Sequence, residues 1–133
     1  MLPFEIRFLC LNPAVLVADN VFDETVASQI ISLGQDKLDR ARVVNKKGGG
    51  ATDDSRTNDS AVIDQWSNPT LTALVGKIAD LVRLPPENAE PTQLLRYRGD
   101  QKFDPHPDAF GNTVGGRQCL AQGGQRLFTT ICY

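Results

Sequence analysis

Histidine and tryptophan each occur once in this chain of 133 residues, and cysteine only three times. One imidazole, His106, is too little for a closed metal site built on histidines. Cys10, Cys119 and Cys132 are odd in number and widely spaced, with no CxxC pair. That argues against a thiolate zinc site and against a disulfide scaffold. Three unpaired thiols fit a reducing compartment. A basic surplus is also missing: 14 Lys and Arg stand against 16 Asp and Glu, for a net charge of −2. No general nucleic-acid footprint is expected from that balance, and no anionic-membrane binder. No apolar run reaches the roughly 20 residues of a membrane span, because Glu5, Arg7 and Pro13 interrupt the stretch from Met1 to Ala18. That start also lacks the basic residues of a signal peptide, so a cytoplasmic setting is expected.

What is present is globular in composition. Hydrophobic residues make up 41% and charged residues 23%, which excludes a disordered or fibrous chain. The length suits a single domain, residues 1–133. Ala14 to Ala18 (AVLVA) reads as an opening strand. A first helix is expected from about Asp23, a plausible N-cap, to about Asp39, with Val26, Ile30 and Leu33 on one face. Lys46 to Ser60 reads as a surface loop; its three successive glycines lack the GxxxxGK[ST] order of a phosphate loop. A second helix is capped by Asn68, opened by Pro69 and stopped by Pro85-Pro86. Its stripe of Leu71, Leu74, Val75, Ile78, Leu81 and Val82 is core packing.

Beyond Pro91 the period changes. Thr92 to Arg98 reads as a strand with Leu95 and Tyr97 on one face, and Phe103 to Phe110 as a second extended stretch. Gly111 to Gly124 reads as a loop. Arg126 to Tyr133 reads as a strand with Leu127, Thr129, Ile131 and Tyr133 on one face. Helices first and strands later indicate an α+β fold.

The chemistry concentrates in Asp104-Pro105-His106-Pro107-Asp108. In extended backbone, residues i and i+2 share a face, so His106 and Asp108 can grip one cation. Each proline fixes its own φ and biases its predecessor to extended geometry, which stiffens the ribbon. The spacing alone also suits a surface pair or a hydrogen-bonded histidine. If a metal binds, imidazole plus carboxylate with open positions suits non-haem Fe(II). Zinc hydrolysis would need a further ligand and a general base.

The ordered set Glu90, Gln93, Leu94, Leu95, Arg96, Tyr97, Gly99, Gln101, Lys102, Phe103, His106, Asp108 and Phe110 resembles the prolyl 4-hydroxylase family of Fe(II)/2-oxoglutarate dioxygenases. The resemblance continues through Gly123-Gly124-Gln125-Arg126 and Thr129 to Tyr133. Upstream, Phe22-Asp23 and Ser55-Arg56 also fall in order. The resemblance implies helices packed on an incomplete double-stranded β-helix, or jelly-roll, core. It implies Fe(II) as metal, 2-oxoglutarate and O2 as cosubstrates, and ascorbate as an auxiliary reductant. His106 and Asp108 then look like iron ligands, with no catalytic group beyond them. Tyr97, Tyr133 and Thr129 look like the 2-oxoglutarate pocket, and Arg126 like a contact to a peptide or small-molecule substrate. The implied reaction couples decarboxylation of 2-oxoglutarate to succinate with hydroxylation of a peptidyl proline or similar C–H bond. Phe103 stands where many members have tyrosine, and the loop at Lys46 to Ser60 is similar in place to one that covers substrate.

Two features of that family are not found in the sequence: the distal histidine and the basic residue that pairs with the far carboxylate of 2-oxoglutarate. The chain is therefore expected to be the N-terminal part of a working enzyme and inactive by itself. The alternative is a non-catalytic remnant that binds a peptide or partner. A small zinc hydrolase is the weakest reading, because ligands and base are both lacking.

Overall fold

A computed structural model describes residues 4–133; the absence of a basic start concerns the first three residues and lies partly outside them. The described residues form a mixed α and β fold, with three small antiparallel sheets and three α-helices. No closed barrel forms among the described residues. Contacts gather in two units, each assembled from two separate stretches. One ends at Leu33 and resumes over Gln65–Ala89; the other comprises Gly34–Asp64 and Glu90–Tyr133.

The first unit opens on a hairpin of β1 (Glu5–Leu11) and β2 (Ala14–Asp19). The strand at Ala14 to Ala18 is thus found, with β1 as its partner across the Asn12-Pro13 turn. Arg7 and Asp19 tie the open end, Nη2 to Oδ2 at 2.9 Å. Helix α1 (Glu24–Gly34) starts as expected: Asp23 Oδ1 accepts from the Val26 N–H at 2.9 Å. Helix α2 (Pro69–Val82) also follows its sequence signals. The Asn68 side chain accepts from the Thr70 and Leu71 N–H groups, with Pro69 in the first turn. Leu71, Leu74, Val75 and Ala79 are buried at i, i+3, i+4 and i+8, the spacing of one helix face. The helix stops before its prolines. Arg83 turns into the left-handed region at φ 57°, and its N–H returns to the Ala79 carbonyl.

The second unit begins at Gly34, five residues short of the expected helix end. An added Cβ there would sit 3.0 Å from Ile63 Cδ1 and 3.1 Å from Leu94 Cδ2. Glycine fits this close approach, and the chain then passes through a short 3-10 turn, Gln35–Lys37, into the sheet. That sheet has the order β3 (Asp39–Arg40), β6 (Asp59–Ile63), β7 (Thr92–Arg96), all antiparallel. Two further strands, β4 (Val43–Val44) and β5 (Gly50–Ala51), form a separate hairpin. Ala41, Ala61 and Ile63 are the buried apolar side chains of this second unit, and Asn58 is fully buried. Asn58 Nδ2 donates to the Asp59 carbonyl at 2.8 Å, so this buried amide is paired.

Four expectations are corrected here. Lys46 to Ser60 is not all loop: it holds β5 and the first two residues of β6. The strand read over Thr92 to Arg98 ends at Arg96; Leu95 and the following Tyr97 do share a face, the exposed one, while Thr92, Leu94 and Arg96 are half-buried. Gly111 to Gly124 carries helix α3 (Val114–Gly123), capped by the Thr113 side chain on the Gly116 N–H. Its glycines serve close approach: Gly115 and Gly116 are buried, and a Cβ on either would strike backbone oxygen. Arg126 to Tyr133 is irregular, without ladder partners among the described residues, and Leu127, Phe128, Ile131 and Tyr133 are exposed. Alternation alone makes no strand without a neighbour to bond.

Candidate functional site

Two stretches of backbone position the site. Arg56 and Phe103 form an antiparallel bridge. Around it the Thr57 N–H donates to the Lys102 carbonyl at 2.7 Å, and the Asp104 N–H to the Ser55 carbonyl at 2.7 Å. The sequence after Phe103 is then held by its own prolines, which have no N–H to give a ladder and leave the ribbon extended.

His106 and Asp108 meet as the i, i+2 spacing predicts. His106 Nε2 and Asp108 Oδ1 lie 3.3 Å apart, both about 40% exposed. On the other side of the ring, Nδ1 is 2.8 Å from the Asp104 carbonyl oxygen. A carbonyl can only accept, so Nδ1 carries the hydrogen, and in the neutral ring Nε2 turns its lone pair to the carboxylate. Two electron-rich atoms facing each other are satisfied by a cation between them, either a proton on Nε2 or a metal ion. Ligands about 2.1 Å from a metal at adjacent corners would lie about 3.0 Å apart, close to the separation found. The pair therefore fits two adjacent positions of a metal. Among the described residues no cluster of three or more His, Cys, Asp or Glu groups could hold one.

Several neighbours fix this pair. The Phe103 ring stacks on the His106 ring, centroids 3.6 Å apart and planes 21° from parallel. Arg56 places its guanidinium carbon 4.6 Å from the Phe103 centroid, within cation–π range. Arg56 also donates to the Arg42 carbonyl at 2.9 Å, and to Asn58 Oδ1 and Gln93 Oε1 at 3.3 Å each. Its partial burial pulls the guanidinium below its ordinary pKa; Tyr97 opposes this and the charge of Arg126 adds to it. The Thr129 hydroxyl donates a hydrogen bond to Asp108 Oδ2, the oxygen turned away from the imidazole.

Arg126 reaches the same group from another side. Its Nη1 donates to the Asp108 carbonyl at 3.3 Å, and Glu90 grips its Nε at 2.6 Å and Nη2 at 2.7 Å. Two parallel charge-assisted bonds fix the guanidinium plane. They raise the Arg126 pKa, against the opposing effect of its partial burial. The guanidinium carbon also lies 4.4 Å from the Phe110 ring centroid.

Of the six residues singled out from the sequence, four converge: His106, Asp108, Thr129 and Arg126. Tyr97 follows β7 with its side chain half exposed, and Tyr133 is fully exposed. Neither shows a hydrogen bond into the cluster. Glu90 and Arg56 were legible as motif positions but not as partners. Glu90 meets its arginine 36 residues later, a pairing no local pattern announces. A cleft of about 290 Å³ lies beside the β4–β5 hairpin and α3, lined by Arg42, Val44, Gly50, Gly115, Gln118 and Cys119. It contains none of the six.

No family model matches the chain. Comparison with curated proteins finds plant enzymes. The chain is 30% identical to prolyl 4-hydroxylase 2 of Arabidopsis thaliana over 132 residues, which is 98% of this chain and 43% of that protein. It is 29% identical over 132 residues to probable prolyl 4-hydroxylase 4 of the same plant, covering 98% and 43%. With probable prolyl 4-hydroxylase 6 the identity is 29% over 133 residues, covering 98% and 45%. The chain is thus related to the prolyl 4-hydroxylases along nearly all of its length. It spans less than half the length of these relatives.

Proposed function

We propose that the chain carries the metal-binding part of an Fe(II)- and 2-oxoglutarate-dependent dioxygenase that hydroxylates a peptidyl proline or a similar C–H substrate. The observation that carries this reading is the 3.3 Å approach of His106 Nε2 to Asp108 Oδ1, in a chain related to prolyl 4-hydroxylases. In this reading its small sheets belong to a double-stranded β-helix, and residues 1–133 to one dioxygenase domain. Fe(II) held there would activate O2 as the oxidant, with 2-oxoglutarate giving two electrons as it becomes succinate and CO2, the substrate C–H bond giving the other two, and ascorbate as an auxiliary reductant.

The chain's own residues hold and orient. His106 offers Nε2, because the Asp104 carbonyl occupies the hydrogen on Nδ1. Asp108 offers Oδ1 while Thr129 occupies Oδ2. Tyr97 and Tyr133 supply hydroxyls to the cosubstrate. Arg126, locked in one plane by Glu90, presents one of its two remaining N–H groups to a substrate carbonyl.

The test is succinate release by protein isolated from its native host, given Fe(II), 2-oxoglutarate, O2 and a proline-rich peptide. His106→Ala and Asp108→Ala are each expected to abolish it. Wild-type turnover in either variant refutes the iron assignment. Peptide binding with no succinate from any form supports a non-catalytic binding module instead.

A further inference from the structure

The donor pair is held in place by side chains that no ligand set requires. Phe103 covers one face of the imidazole at 3.6 Å. Its own backbone is anchored by the bridge to Arg56 and the two 2.7 Å bonds beside it, so the ring is a fixed wall. The Asp104 carbonyl at 2.8 Å sets the edge of the imidazole. One contact fixes the ring's tilt and the other its rotation, leaving Nε2 a single direction. For Asp108 the same division holds. A carboxylate free about its last torsion exchanges its two oxygens. The Thr129 hydroxyl on Oδ2 breaks that equivalence and leaves Oδ1 toward Nε2.

We propose that Phe103 and Thr129 are positioning residues, which turn His106 Nε2 and Asp108 Oδ1 toward a common point before any metal arrives. The inference rests on the metal-binding reading above and deepens it. It gives Phe103 a role that needs no hydroxyl, and gives Thr129 a task on the carboxylate rather than on the cosubstrate. Residues that orient metal ligands commonly change affinity by 10–100-fold when lost.

His106 is the only histidine in the sequence, so its ring protons can be read without assignment ambiguity in untagged protein. In the metal-free state, Phe103→Leu is expected to move them downfield as the ring current above the imidazole is lost, while Phe103→Tyr leaves them in place. In a Co(II) titration followed by absorbance, Phe103→Leu and Thr129→Val are each expected to weaken binding about 10-fold. Phe103→Tyr and Thr129→Ser are expected to bind as the wild type does. Wild-type Co(II) affinity in both Phe103→Leu and Thr129→Val overturns the positioning roles and leaves the metal reading standing. Co(II) binding that is absent, or indifferent to His106→Ala, overturns the metal reading and the positioning roles with it. Should Phe103→Leu fail to fold, Thr129→Val against Thr129→Ser decides alone, because a surface hydroxyl is removed without changing shape.

Discussion

Gly115 is the second residue of α3, and its N–H donates to the Lys46 carbonyl at 3.2 Å. A Cβ at this position would fall well inside contact distance of the Asn45 carbonyl oxygen and 3.1 Å from Val44 Cγ1. The first obstacle is backbone, so no side-chain rotation relieves it. Gly115→Ala therefore has to lift the helix start off the β4–β5 hairpin. Overpacking costs about 1–3 kcal/mol, and the stretched hydrogen bond about 0.5–1.5 kcal/mol more. Helix propensity works the other way, favouring alanine by about 1 kcal/mol. The balance is a loss of about 0.5–3.5 kcal/mol. Gly76, inside α2, is the control, because a Cβ there meets nothing within 4 Å. Gly76→Ala should stabilise by about 0.5–1 kcal/mol. Urea unfolding monitored by far-UV circular dichroism compares the two midpoints at fixed slope. A Gly115→Ala midpoint equal to or above wild type refutes the close approach, and with it the placement of α3.

Two further outcomes are expected. Leu71→Ala removes a side chain that is 1% exposed and should cost about 2–5 kcal/mol in the same urea assay, whereas Leu71→Met should cost less than about 1.5 kcal/mol; equal midpoints would place Leu71 outside the core. Arg126→Lys keeps the charge but loses the two parallel bonds to Glu90, and in the dioxygenase assay it should lower kcat/KM about tenfold, as should Glu90→Gln; unchanged values would remove Arg126 from the substrate path.

The parts of this molecule that were legible in its sequence are those decided locally. Asp23 caps the helix it precedes, and the Asn68-Pro69 start of α2 needs only the next three residues. The His106–Asp108 encounter is equally local, a two-residue spacing stiffened by prolines. What failed depended on neighbours distant in sequence. Strand β6 hid at the end of a polar stretch, because Asp59 and Ser60 become strand by pairing with Arg40 and Asp39 on one side and Arg96 and Leu95 on the other. For Leu95 and Tyr97, alternation reported correctly that they share a face but could not say which face lies inward. Gly115 suggested a turn, yet its lack of a side chain serves contact with the Asn45 carbonyl, 70 residues earlier. The alternation of Arg126 to Tyr133 is a propensity with no partner among the described residues to realise it.

The interleaving of the two units sets an order of events during synthesis. Residues 34–64 emerge from the ribosome before 65–89, yet the second neighbour of β6, strand β7, lies beyond Glu90. At about 5–20 residues per second, the intervening 25 residues impose a wait of roughly 1–5 s. During that interval β6 has β3 on one side and an open edge on the other, since β7 has not yet been made. An open edge carrying Val62 toward water is the kind of surface that nascent chains on neighbouring ribosomes can pair with. The yield of folded protein should therefore depend on translation speed between Gln65 and Ala89, where slow codons lengthen the exposure and fast ones shorten it.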